Sequence, residues 1–179
     1  MKKTNNGTPI VNQEQLLELL KKSTKGVCVL GDVGRGKTWA FDQVFERKYD
    51  MFSPEASRFL SANDVSAIYA AKGMEGLQKV FTYQLQGRAP LIIDDIGTEM
   101  IMGHYGSNLD AVQWLILQCY SKKTPFYFTT NLTLEALTER YGKRVVDRIK
   151  ESTYIIVLEG NNHREETYKN TEAELDMLL

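Results

Sequence analysis

Gly31-Asp32-Val33-Gly34-Arg35-Gly36-Lys37-Thr38 spells G-x-x-x-x-G-K-[ST] without a gap, and its two flanks decide how it is read. Before it runs Val27-Cys28-Val29-Leu30, an apolar, β-prone stretch. After it, Trp39, Phe41, Val44 and Phe45 recur at helical spacing. A strand, a glycine turn and a helix in that order form the context that separates a phosphate-binding loop from a chance match. Glycines at 31, 34 and 36 let the backbone wrap a phosphate, with amide hydrogens and a helix N-terminus facing its charge. In such a loop Lys37 reaches the β- and γ-phosphates and the Thr38 hydroxyl serves Mg²⁺. Asp32, Val33, Arg35 and Trp39 complete the expected contact set for a nucleoside triphosphate.

Outward from the loop, apolar runs alternate with helical patterns. Arg58-Phe59-Leu60, Leu91-Ile92-Ile93-Asp94-Asp95, Phe126-Tyr127-Phe128-Thr129 and Tyr154-Ile155-Ile156-Val157-Leu158 read as four further strands. Helices are expected over Asp64–Gln86, weakened at Gly73 and Gly76, over Asn108–Tyr120, and over Leu134–Tyr141 and Lys143–Lys150, parted by Gly142. A short amphipathic helix capped by Asn12 carries Leu16, Leu17, Leu19 and Leu20, behind a start expected to fray. Short apolar strands alternating with helices imply a parallel sheet covered on both faces.

Composition narrows the field without choosing within it. The chain has 179 residues and a net charge of −1, so it fits one domain, and any nucleic-acid contact has to come from a local patch. Lys21, Lys22 and Lys25, then Lys122 and Lys123, then Lys143, Arg144 and Lys150 are the candidates, against the plain reading of solvated surface. No run suits a membrane span, and Lys2-Lys3-Thr4-Asn5-Asn6 lacks the apolar core of a signal peptide; a cytoplasmic location is expected. Cys28 and Cys119 read as buried thiols, and with only His104 and His163 present zinc chemistry has no support.

Two more clusters carry chemistry. Asp94 and Asp95 end an apolar strand at the sheet's carboxyl edge, where open α/β folds bind ligands. Asp94 there holds Mg²⁺ through water and Asp95 polarises the attacking water, unless the two acids merely open a solvated turn. Glu99 nearby reads as a second candidate base or, more simply, as an exposed loop residue. Thr129-Thr130-Asn131 suits a γ-phosphate sensor if its strand lies between the loop strand and the Asp94 strand; the competing role for Asn131 or Thr133 is a helix cap.

Together with Leu91 to Gly97 and Glu99, Thr129 to Leu132, Gly142-Lys143-Arg144-Val145-Val146-Asp147-Arg148-Ile149 and Gly160 to Arg164, the loop resembles the AAA+ ATPases of the DnaC/DnaI helicase-loader and IstB transposition-helper type. The resemblance spans Val27 to Arg164. It implies an α/β P-loop NTPase fold, AAA+ or RecA-like, with a five-stranded parallel sheet flanked by helices and no separate lid domain. The division would be residues 1–25 as tail and short helix, 26–165 as ATPase core and 166–179 as a C-terminal tail helix. It also implies ATP and Mg²⁺ as ligands, with Lys37, Asp95, Asn131 and Arg148 catalytic and Thr38 and Asp94 on the metal. Arg148 matches an arginine finger acting in trans on a neighbouring copy; the bland alternative pairs Arg144 and Arg148 with Asp147 or Glu151 at the surface. Arg164 matches a second sensor, although Asn162 and His163 depart from the pattern before it.

The implied partners are single-stranded DNA and a replicative helicase or a transposase, as for a helicase loader of a phage or mobile element. Only residues 1–30 precede the loop, so the loaders' N-terminal partner-docking domain is expected to be missing. Cys119-Tyr120 stands where relatives carry Arg-Tyr, and Trp39 where they carry histidine. Thr171 and Glu174 would cap a tail ending in Leu178 and Leu179, packed on the domain or docked on a partner. Two other readings stay open: a non-hydrolysing, ATP-gated adaptor, and a helix-turn-helix over Leu134 to Ile149. ATP is favoured over GTP because no N-K-x-D motif occurs, and no arginine-rich lid speaks for a small-molecule kinase.

Overall fold

The computed structural model describes residues 2–45, 59–86 and 90–163, with 165, 167, 168 and 171. Arg58, Arg164 and Glu174, and with them the expected second sensor and the end of the C-terminal tail, lie outside the described residues.

Among the described residues, eight strands and six helices follow in the order β1 (Ile10–Val11), α1 (Gln13–Lys22), β2 (Gly26–Leu30), α2 (Lys37–Val44), β3 (Phe59–Ser61), α3 (Ala62–Gln86), β4 (Leu91–Asp94), β5 (Met102–His104), β6 (Ser107–Leu109), α4 (Ala111–Ser121), β7 (Phe126–Thr130), α5 (Leu134–Tyr141), α6 (Lys143–Ser152) and β8 (Thr153–Leu158). Six strands form one parallel sheet in the order β1-β8-β2-β7-β4-β3. As expected, β7 lies between β2 and β4, which brings Asn131 out beside the glycine loop and the twin aspartates.

Strand periodicity of two divides the core. Val27, Val29, Ile92, Tyr127 and Ile156 point to one face and pack with Leu16 and Leu20 of α1 and Ala40 and Phe41 of α2. Cys28, Leu30, Leu91, Ile93, Phe126 and Phe128 point to the other, under residues of α3, α4, α5 and α6. Both faces are covered, so the strands read as apolar runs without polar alternation.

The sheet has six strands and not the five expected. The extra one is β1 at the edge, where Val157 N–H donates to Pro9 O and Glu159 N–H to Val11 O, each at 2.9 Å. Pro9, which has no N–H to offer, tolerates an edge position. Residues 2–11 therefore do not fray: Lys2 pairs with Glu159 at 2.7 Å and Lys3 bridges Pro9. Asn12 caps α1 with a reciprocal capping box to Gln15.

A second difference is the antiparallel hairpin β5–β6 where loop was expected, so that Asn108 belongs to a strand and α4 begins at Ala111 behind its cap Asp110. Its two-residue turn, Tyr105-Gly106, has φ of 46° and 82°, the left-handed pair that tight hairpins require. The hairpin rests on α3 at Gly73, where φ is 60° and ψ −151° and the helix breaks as foreseen, whereas Gly76 stays helical. Among the described residues no helix is long and apolar enough to cross a membrane.

Candidate functional site

The loop between β2 and α2 owes its shape to glycines the sequence supplies where side chains are excluded. Gly34 has φ 80°, and a Cβ there would collide with the Asn162 side chain; Gly36, at φ 86°, turns the chain directly into α2. Gly36 contributes no side-chain cap, so the first amides of α2 are left for a ligand.

Lys37 is 5% exposed and folds back across its own loop. Its Nζ donates to Gly31 O at 2.6 Å, Asp32 O at 2.8 Å and Asn131 Oδ1 at 2.5 Å. One residue on, Thr38 Oγ1 donates to both carboxylate oxygens of Asp94, at 3.1 and 2.9 Å. Asp94 is itself buried, and Thr129 Oγ1 donates to its Oδ1 at 2.5 Å while accepting the Asp95 N–H at 2.9 Å. One threonine hydroxyl thus sets the spacing of both acids.

Asp95 adopts φ 54°, a left-handed backbone that costs an aspartate about 1–2 kcal/mol and is held only where the surroundings impose it. Here they do: Ile96 N–H reaches Thr129 O at 2.9 Å, Thr98 Oγ1 reaches Asp95 O at 2.7 Å, and Asn131 Nδ2 reaches Asp95 Oδ1 at 3.3 Å. Asn131 so bridges the loop lysine and the second aspartate. Capping of α5 falls to Thr133, whose Oγ1 accepts from Ala136 N–H at 3.2 Å. Of the two roles the sequence left open for Asn131, the helix cap is taken by Thr133.

Lys37, Thr38, Asp95 and Asn131 border a cleft of about 250 Å³ that also takes in Val33, Trp39 and His163. Trp39 is 47% exposed beside it. Asp32 and Arg35 face instead a neighbouring groove of about 710 Å³, with Gly31 at its edge; Arg35 bonds Gly160 O and Asp32. His163 N–H donates to Gly34 O at 3.0 Å, a clasp of the loop by the segment after β8 that no sequence signal announced.

Oxygen donors in the form of one hydroxyl and one carboxylate suit Mg²⁺, which keeps several waters and takes one or two carboxylates together with phosphate oxygens. Thr38 and Asp94 fit that requirement. No cluster of three or more His, Cys, Asp or Glu that could cage a metal occurs among the described residues.

One expectation is corrected. Glu99 is not an exposed loop residue: its side chain is 1% exposed and bonded to Arg140, Tyr141 and Gly97 N–H. Arg148 does not share the cleft with Lys37. It lies on α6, about one-third exposed, its guanidinium 4.4 Å over the Tyr120 ring, donating to Tyr120 Oη at 2.7 Å and to Glu151 at 3.0 Å. The hydrogen bond between Glu151 and Tyr120 holds the glutamate below its usual range and raises the phenol. Arg144 is exposed one turn earlier.

Fold and site together define an α/β domain built around a P-loop at the carboxyl rim of a parallel sheet. Solved structures with a similar fold include three with the following names. The DnaC helicase loader shares 18% identity at a TM-score of 0.55, with 82% of this chain and 87% of that one covered. A putative primosome component from Streptococcus pyogenes serotype M3 shares 20% at 0.55, over 84% and 79%. DnaI shares 18% at 0.53, over 84% and 81%. At such identities the likeness is one of fold. No family model and no curated protein sequence matches the chain.

Proposed function

We propose that this protein binds and hydrolyses ATP and, assembled with copies of itself on single-stranded DNA, loads a replicative helicase for a phage or mobile element in the cytoplasm. The observation that carries this reading is the convergence of Lys37, Thr38, Asp94, Asp95 and Asn131 at one point on the carboxyl rim of the sheet. Helicase loading rests on the likeness in fold and on the motif set; a transposase in place of the helicase fits the same motifs.

In this reading the loop amides and the Lys37 ammonium bind the β- and γ-phosphates. Lys37 exchanges loop carbonyls for phosphate oxygens with little movement, because the ammonium already lies within the loop. Mg²⁺, when bound by Thr38 and Asp94, neutralises charge on the phosphate oxygens. Asp95 accepts a proton from the attacking water, and the Asn131 amide, fixed to Asp95 on one side and Lys37 on the other, orients that water. Arg148 from a neighbouring subunit offsets the charge that develops on the transferred group. DNA contacts fall to the basic residues of α1 and α6, where Lys22 and Lys143 are already engaged by Glu18 and Asp147 and leave Lys21, Arg144 and Lys150 to face the backbone.

Calorimetric titration of Mg·ATP into wild type and Lys37→Ala tests the reading. Saturable uptake by wild type and a loss of about tenfold or more in the variant, ~1.4 kcal/mol, is expected. No uptake by folded wild type at millimolar nucleotide overturns it.

A further inference from the structure

Glu99 follows the last residue of β4 by five positions, and burying its carboxylate is costly unless partners replace water. Three groups, one from its own loop and two from α5, supply them. Its Oε2 accepts the Gly97 N–H at 2.7 Å; its Oε1 accepts Arg140 Nη2 at 2.9 Å and the Tyr141 hydroxyl. Arg140 turns its other nitrogen to Asp110 Oδ2 at 2.5 Å, and Asp110 in turn caps α4 through Gln113 N–H at 2.9 Å. One carboxylate therefore joins the loop that follows Asp94, the last turn of α5 and the start of α4. Tyr141 is followed at once by Gly142, at φ 84°, and then by α6 with Arg144 and Arg148.

The loop pinned in this way is the strained one. Asp95 at φ 54° and Gly97 at φ 93° are both left-handed, and the Glu99 side chain holds the amide of the second. Glu99 belongs to neither the cleft nor its rim. With bonds to both oxygens it has the surroundings of a strut and not those of a base.

We propose that Glu99, through Arg140, is a positioning residue for hydrolysis: it fixes the loop that aims Asp95 at Asn131 and ties that loop to the α5–Gly142–α6 segment bearing the arginines. The assignment rests on the reading of Asp95 as the group that accepts a proton from the attacking water. It predicts that loss of the strut slows turnover without loosening nucleotide, since Lys37, Thr38 and Asp94 are held by other bonds.

The test uses the full chain carrying Glu99→Gln, Arg140→Gln, or both, with Lys37→Ala as control. Glutamine preserves shape and still accepts from Arg140, but presents an amide N–H₂ to Gly97 N–H. Expected are a kcat lower by roughly ten- to a hundredfold, in keeping with a displacement of about 1 Å at a reacting group, Mg·ATP affinity within twofold, and an unchanged apparent pKa in the pH dependence of kcat. The double variant is expected to be no slower than the slower single variant, because the two residues act as one unit. A Glu99→Gln protein with wild-type kcat overturns the proposal, as does a parallel fall of kcat, affinity and melting temperature, which marks a purely structural role. Loss of a limb of the pH profile also overturns it, by making Glu99 the base. If wild type and Lys37→Ala show the same lack of turnover, the ATPase reading fails and takes this assignment with it.

Discussion

Lys37 and Arg148 are both cations that the motif set assigns to phosphate, and the molecule treats them in opposite ways. Lys37 is buried among groups that themselves belong to the site, two loop carbonyls and Asn131. Arg148 lies about one-third exposed on α6, held among the described residues by Tyr120 and Glu151, neither of which borders the cleft. The rim is bonded within one chain, whereas the arginine helix holds its cation on Tyr120 and Glu151, away from that cleft. Exposed pairs such as Arg148 with Glu151 are weak, so a better acceptor on another molecule can displace them.

The sharpest way to break this contrast is Arg148→Ala. Turnover at high protein concentration is expected to fall by about 10³–10⁵ while Mg·ATP affinity stays unchanged, the signature of a group used only in the transition state. An unaltered rate would make Arg148 a surface residue. Next comes Asp95→Asn, for which single-turnover kinetics should show a loss of about 10²–10⁴ with nucleotide still bound. A variant that no longer hydrolyses but still supports the partner reaction would favour the ATP-gated adaptor.

The rim was legible in the chain because its parts obey local rules. A glycine turn between a strand and a helix, and two acids or a T-T-N cluster at the end of an apolar run, announce themselves by spacing. So did Gly73 and Gly142 as helix breaks. What stayed hidden depends on contacts distant in sequence. β1 has two residues, too few for any period, and exists through its pairing with β8. The β5–β6 hairpin turns on Tyr-Gly, a weak form of the usual Asn-Gly signal. Glu99 reads as loop polarity until Arg140 and Tyr141, from another helix, arrive beside it. The expected place of Arg148 in the site could not emerge from one chain, since its proposed target is on another.

Smaller effects sharpen the comparison from the side of stability. Ile149, fully buried next to Arg148, anchors α6 on the core; Ile149→Ala should cost about 2–5 kcal/mol in denaturant unfolding and lower concentration-dependent turnover more than nucleotide affinity. The thiols report on the same core layer. Burial raises Cys28 well above its usual range and Cys119 to about 12. Folding thus favours the neutral thiol, a contribution present below the unfolded value near pH 8.5 and lost as pH rises towards the folded one. Neither cysteine should react with a thiol reagent at pH 8 until denaturant is added.

The central claim, a nucleotide site built by one subunit and finished by the next, is tested most directly by mixing Arg148→Ala with Lys37→Ala and following ATP turnover. The first keeps an intact rim and the second an intact arginine helix, so the mixture should recover activity that neither shows alone, rising with total protein concentration. A mixture as inactive as its components, beside a wild type whose turnover per subunit is independent of concentration, would contradict it.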